Sequence, residues 1–129
     1  MSWSSALLAF LVSHLVGDVL LQTEWQAVGK AGGLRSPRAR RPLLTHVAVY
    51  TVAFVPALVW VAAHRGAGRA IAVAAVIGGA HLLVDDGRLV RFWLRAVKGT
   101  ERPPAGLAIA VDQTFHVLCL LGAGVLAAT

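Results

Sequence analysis

The chain carries little charge. Only 14% of its 129 residues are Asp, Glu, Lys or Arg, whereas a soluble domain carries about a quarter. Too little polar surface is available to solvate an ordinary water-soluble fold. Cysteine is nearly absent: Cys119 is the single thiol, which excludes a disulfide framework and leaves the redox compartment unreadable. No Gly-rich phosphate loop, Ser-His-Asp arrangement or CxxC is present, so nothing points to a P-loop enzyme, a triad hydrolase or a thiol oxidoreductase. Acidic residues number six against twelve basic ones, for a net charge of +6. In a chain that is 57% hydrophobic, that balance points to anionic lipid headgroups and not to nucleic acid.

What is present is apolar length. Crossing a bilayer needs roughly 17–25 mostly apolar residues. Four stretches qualify, at about residues 3–22, 43–63, 69–86 and 105–128, with Pro56 expected to kink the second. The first is no ordinary cleavable signal peptide, because it lacks a basic leader and holds His14 and Asp18 in its apolar run. These stretches predict an all-α fold: an integral membrane four-helix bundle, up-down-up-down, forming one domain over residues 1–129. The first connection holds Lys30, Arg35, Arg38, Arg40 and Arg41, and the third holds Arg88, Arg91, Arg95, Lys98 and Arg102. The second has only Arg65 and Arg69. Positive-inside reasoning puts the first and third connections in the cytoplasm and both termini outside.

Each span also holds a histidine with a polar residue four positions away: His14 with Asp18, His46 with Tyr50, His81 with Asp85, and His116 with Asp112. That spacing places both side chains on one helix face. In the expected topology all four pairs fall in the cytoplasmic half of the bundle, and scattered polar residues would not share a depth. An aspartate at mid-membrane costs about 2.5–3.5 kcal/mol on the insertion scale, and a divalent cation is the simplest way to offset several. Imidazole and carboxylate together suit zinc, manganese or iron, on facing helices of a bundle. The predicted metal ligands are His14, Asp18, His46, His81, Asp85, Asp112 and His116, more than one tetrahedral ion needs. A two-metal site able to hydrolyse an ester or phosphoester is therefore in view.

Taken singly, each histidine reads more simply as a polar residue bonded to a neighbouring helix. His64, beside Arg65 with no partner four residues away, is read as interfacial. Gln22, Glu24 and Lys30 lie just beyond the first span, at the expected cytoplasmic mouth, with Asp86 beside them. Gln113 adjoins Asp112 but points about 100° around the helix, so it need not serve the same cavity and is counted with the supporting residues at the mouth. Tyr50 either bonds a ligand histidine or is an ordinary membrane tyrosine.

The ordered set resembles a known family. His14, Gly17, Asp18, Gln22, Glu24 and Trp25, followed by Lys30, are similar to the opening signature of the family called domain of unknown function 3307. The likeness continues through His46, His81 with Asp85, and Asp112-Gln113 with His116. It implies a small protein of the bacterial inner membrane, similar in style to small membrane proteins labelled metal-dependent hydrolases. Asp86 and Gly87 depart from it, since an apolar residue and a continuing helix are expected there; helical spacing favours Asp85 over Asp86 as the residue facing the cluster.

Arg88, Arg91, Arg95 and Lys98 recur at helical spacing, predicting a basic interfacial helix that grips anionic lipid headgroups. It serves either as a topology anchor or as a feed of anionic substrate to the metal mouth. The segment Lys30 to Arg41 reads as a flexible cationic loop. Small residues around Gly78-Gly79 and Gly122-Gly124 suit close helix packing, within the bundle or in a homodimer. Two rival functions use the same residues: a proton- or cation-coupled transport or channel component, and a noncatalytic membrane partner with a structural polar cluster.

Overall fold

Helix α1, Trp3–Leu15, starts at Ser2, whose hydroxyl accepts from the Ser5 N–H. It runs directly into a wider π turn, Val16–Leu20. Thr23 and Gln26 close a reciprocal capping box, which nucleates the short α2, Glu24–Gly29. Pro37 opens α3, Pro37–Ala53, from the favoured first-turn position. Pro56 sits in the first turn of α4, Val55–Arg65, and the axes of α3 and α4 diverge by 51° at Phe54. Helix α5 covers Ala67–Asp85, α6 covers Arg88–Ala96 and α7 covers Ala105–Ala128. This computed structural model describes residues 1–129, with seven α-helices and no strand.

The fourth predicted span coincides with α7, the third with α5 to within two residues, and Pro56 bends the second as expected. The segment from Lys30 to Arg41 is less of a loop than expected. A 3-10 turn occupies Gly33–Arg35, and α3 already covers Arg38, Arg40 and Arg41.

Helix α1 packs on α7, α7 on α5, and α5 on both α3 and α4, while α1 closes the ring against α4. Ala6, Phe10, Phe54, Val61, Val73 and Leu120 fill the middle of the bundle. Val84, Val90, Leu94 and Val111 form a smaller cluster that seats α6 across the end of α5 and the start of α7. The outer faces are apolar: Leu8, Val12, Val52, Ile71, Leu83 and Ile109 are all exposed, while His14, His46, His81 and His116 are buried. Three helical stretches, Trp3–Leu20, Ala67–Asp85 and Ala105–Ala128, are long and apolar enough to cross a membrane, and the bent α3–α4 pair makes a fourth when it is counted as one span.

One close approach positions the site. Gly17 lies in the π turn against Tyr50 of α3, where a Cβ would stand 2.9 Å from Tyr50 Cδ2. Only glycine lets the turn carrying Asp18 come that near to the helix carrying His46.

Candidate metal centre

Four elements deliver the polar side chains to one place: the π turn brings Asp18, α3 brings His46, α5 brings His81 and Asp85, and α7 brings Asp112, Gln113 and His116. His46 Nε2 is the hub. It lies 2.9 Å from His81 Nε2, 3.1 Å from Asp18 Oδ1 and 3.2 Å from Asp85 Oδ2. His81 Nε2 stands 3.4 Å from Asp85 Oδ2 and 4.0 Å from Asp18 Oδ1. Bond lengths of about 2.0–2.2 Å place the donors of a tetrahedral zinc about 3.4 Å apart. The measured separations bracket that value, so Asp18, His46, His81 and Asp85 fit a closed four-donor set.

A second set shares Asp85. Asp85, Asp112 and His116 offer donor atoms all within 4.8 Å of one another. His116 Nδ1 lies 2.9 Å from the Asp112 carbonyl oxygen and must donate to it, because a carbonyl only accepts. The neutral ring therefore turns a bare lone pair from Nε2 toward Asp85 Oδ1, 3.5 Å away. Nε2 is buried with no hydrogen-bond partner. A lone pair facing a carboxylate is repulsive unless a proton or a metal ion lies between them. An imidazole held by a backbone carbonyl through its other nitrogen is also the usual posture of a metal-ligating histidine.

Lys30 Nζ reaches the cluster from the end of α2, 2.6 Å from Asp85 Oδ2, and the Gln22 amide lies 3.2 Å from His46 Nε2. A cleft of about 430 Å³ opens over the second set, lined by Lys30, Asp85, Asp112, Arg91 and Arg95 among others.

A family model described as Protein of unknown function (DUF3307) matches residues 6–128, nearly the whole chain. The chain belongs to this family. No curated protein and no solved structure matches it.

Within this DUF3307 chain, two of the four predicted pairs form and two do not. His81–Asp85 and His116–Asp112 meet across one helical turn, at 3.4 and 3.5 Å. His14 and Asp18 part company because the π turn between them is wider than an α turn. Asp18 swings toward His46, while His14 uses both nitrogens elsewhere: Nδ1 accepts from Tyr50 Oη at 3.1 Å, and Nε2 donates to Gln113 Oε1 at 3.0 Å. His14 thus stands beside the two donor sets and not within them. Tyr50 bonds His14 and stacks on His81, with ring centroids 3.5 Å apart. It makes no bond to His46.

Gln113 serves the cavity after all. Its long side chain reaches back, so that Nε2 donates to Asp18 Oδ2 at 3.3 Å and to Asp112 Oδ2 at 3.2 Å. Asp85 faces the cluster and Asp86 does not. Asp86 instead accepts from the Leu34 N–H at 2.7 Å and pairs with Arg88. Burial opposes its charge, but those two partners hold the carboxyl below the usual carboxylate range. Glu24 is exposed in the first turn of α2. His64 bonds the Trp60 carbonyl, away from the cluster. Of the four basic residues predicted to grip headgroups, Arg91 and Arg95 line the cleft, Arg88 holds Asp86, and Lys98 lies on the other side, near Trp93 and Phe115. The short α2 that carries Lys30 inward was missed by the sequence reading, although Thr23-x-x-Gln26 is the capping-box signature.

Proposed function

We propose that this protein is a multi-pass metalloprotein of the bacterial inner membrane that hydrolyses an ester or phosphoester bond of a membrane-associated substrate. One observation carries the reading: two donor sets share Asp85, one closed with four donors and one open with three, and the open set faces a cleft. Structural zinc sites are closed, whereas catalytic ones hold three protein ligands and keep a position free. Asp18, His46, His81 and Asp85 would hold one divalent ion (zinc, manganese or iron). Asp85, Asp112 and His116 would hold a second, which supplies Lewis acidity toward the scissile group.

Hydrolysis joins a water oxygen to the carbonyl carbon or phosphorus, breaks the bond to the ester oxygen, and passes one water proton to the departing alcohol. The chain's own part is positional. The Asp112 carbonyl fixes the His116 ring, Gln113 fixes Asp18 and Asp112, and Lys30 holds Asp85 from the cleft side. Beyond the cluster, Phe10, Phe54, Val61 and Val73 fill the bundle with apolar side chains, which favours a site entered from one side over a conducting path.

The membrane reading is supported by the apolar outer faces and by where the ends meet. Arg69 at the start of α5 bonds the Leu126 carbonyl at the end of α7, as an up-down-up-down bundle requires. The cleft then opens with the basic connections toward the cytoplasm, and both termini lie outside. Basic residues on α3 and α6 meet anionic headgroups there.

Elemental analysis of detergent-purified protein tests the function. About two divalent ions per chain, both lost in Asp85→Asn, is the expected result. Folded wild type that binds no zinc, manganese or iron when offered each in turn overturns it.

A further inference from the structure

We propose that the cleft is the binding site for a phosphate monoester carried on an apolar chain, with Arg91 and Arg95 as the phosphate-recognising side chains. The proposal rests on the metal reading above and names its substrate class. The cleft has two characters. Lys30, Arg91 and Arg95 supply three cations, whereas Val90, Leu94 and Ile109 supply an apolar wall. Ile109 is 61% exposed on the outer face of α7, so that wall runs out to the surface that would meet lipid. A wholly water-soluble ester would have no use for it.

The charges decide what sits at the polar end. Three carboxylates, Asp85, Glu101 and Asp112, also line the cleft and balance the three cations. Lys30 is committed to Asp85 at 2.6 Å and Arg95 leans toward Glu101 at 3.5 Å. Arg91, one turn before Arg95, forms no ion pair at contact distance, although its charge is felt by Asp86. A divalent ion on the open donor set turns a neutral lining into one of net charge +2, which suits a dianion. A monoester phosphate presents that charge on terminal oxygens matching the bidentate guanidinium fork. The rim pair Arg95–Glu101 is exposed and therefore weak, so Arg95 is free to turn to the ligand.

Calorimetric titration of the full chain in neutral maltoside micelles tests this, with dodecyl phosphate as probe and inorganic phosphate and dodecylphosphocholine as comparisons. In metal-loaded wild type, dodecyl phosphate should bind at least tenfold tighter than either comparison. Arg91→Gln should weaken it at least tenfold, Arg91→Lys should recover part of the loss, and Arg38→Gln, which removes an equal charge from α3, should change it less than twofold. Inorganic phosphate binding equally well overturns the amphiphile assignment. An Arg38→Gln effect equal to that of Arg91→Gln reduces the cleft to diffuse surface charge and overturns the site. Elemental analysis of the same samples keeps the two readings apart. Metal-loaded wild type that ignores dodecyl phosphate sinks this proposal and spares the metal centre, whereas metal-free wild type sinks the centre and this proposal with it.

Discussion

His46 and His81 present their Nε2 atoms to each other at 2.9 Å in the buried interior of the bundle. Two imidazole lone pairs cannot share that space without a proton or a metal ion between them. His14 has no such problem, because Tyr50 and Gln113 occupy both of its nitrogens. The two kinds of histidine should therefore separate by experiment. His46→Ala should weaken metal binding at least 100-fold, while His14→Ala should keep full stoichiometry. Gln113→Ala, which frees Asp18 and Asp112 from their shared amide, should cost about 10–100-fold in affinity. Metal titration of the three purified variants checks the ranking, and metal loss in His14→Ala equal to that in His46→Ala would contradict it.

Lys30 places a cation 2.6 Å from the oxygen that both His46 and His81 face. An ammonium there stabilises Asp85 when no ion is bound and repels an incoming ion. Two unit charges at 4 Å still interact by about 4 kcal/mol at the effective dielectric of a protein surface. Lys30→Gln should accordingly tighten metal binding, by at least tenfold, while lowering the melting temperature of the metal-free protein. A competition titration with a chromophoric chelator reads the first effect and a thermal melt in chelator reads the second. Weaker metal binding in Lys30→Gln would show that the ammonium supports the ion instead of competing with it.

The long elements were legible because their signals are periodic and redundant: twenty or so apolar residues predict a span whatever surrounds them, and α5 and α7 fell where hydropathy put them. Asp85 was distinguishable from Asp86 by helical spacing from His81 alone. Spacing failed where the helix itself changed. The α-helical rule joined His14 to Asp18, but the π turn at Val16–Leu20 breaks that rule, and no pattern in the residues marks it. Its angle around α7 places Gln113 only among the supporting or mouth residues, yet its side chain is long enough to cancel a 100° offset. Arg91 and Arg95 read either as lipid contacts or as a feed of anionic substrate, because a helical wheel gives a basic face without saying what it faces. The seating of α6 by Val90 and Leu94 against Val84 and Val111 turns part of that face onto the cleft, and this depends on contacts distant in sequence.

Asp86 ties the segment after α2 to the end of α5 through the Leu34 N–H, and it also pairs with Arg88 at the start of α6. Its carboxyl is held below the ordinary value, near 3.9 in an unfolded chain, by those two partners acting against burial. A depressed pKa means that the stabilisation is present above about pH 4 and is lost as pH falls toward the folded value. Asp86→Asn should cost about 1–3 kcal/mol at pH 7, and the gap between variant and wild type should narrow below pH 4. Thermal melts at pH 7 and pH 3.5 check the sign, and faster hydrogen exchange at the Leu34 amide of the variant checks the location. A gap that widens on acidification would mean that Asp86 carries its proton in the folded protein.

Gly17 should prove as sensitive as any ligand, although it has no side chain. A Cβ there would stand 2.9 Å from Tyr50 Cδ2 and 3.1 Å from Tyr50 Cα, with Ala53 Cβ at 3.4 Å. The aromatic ring is stacked on His81 and the Cα is backbone, so neither yields cheaply. Gly17→Ala must push the π turn away from α3, at a cost of about 1–3 kcal/mol. Asp18, the next residue, moves with it and leaves His46. Metal affinity and melting temperature should therefore fall together. Gly79 on α5 supplies the control, because a Cβ there meets no atom within 4 Å. Gly79→Ala should raise stability by up to about 1 kcal/mol through helix propensity alone, with no change in metal binding. If the two alanines behave alike, the contact of Gly17 with Tyr50 does not hold Asp18 in the site.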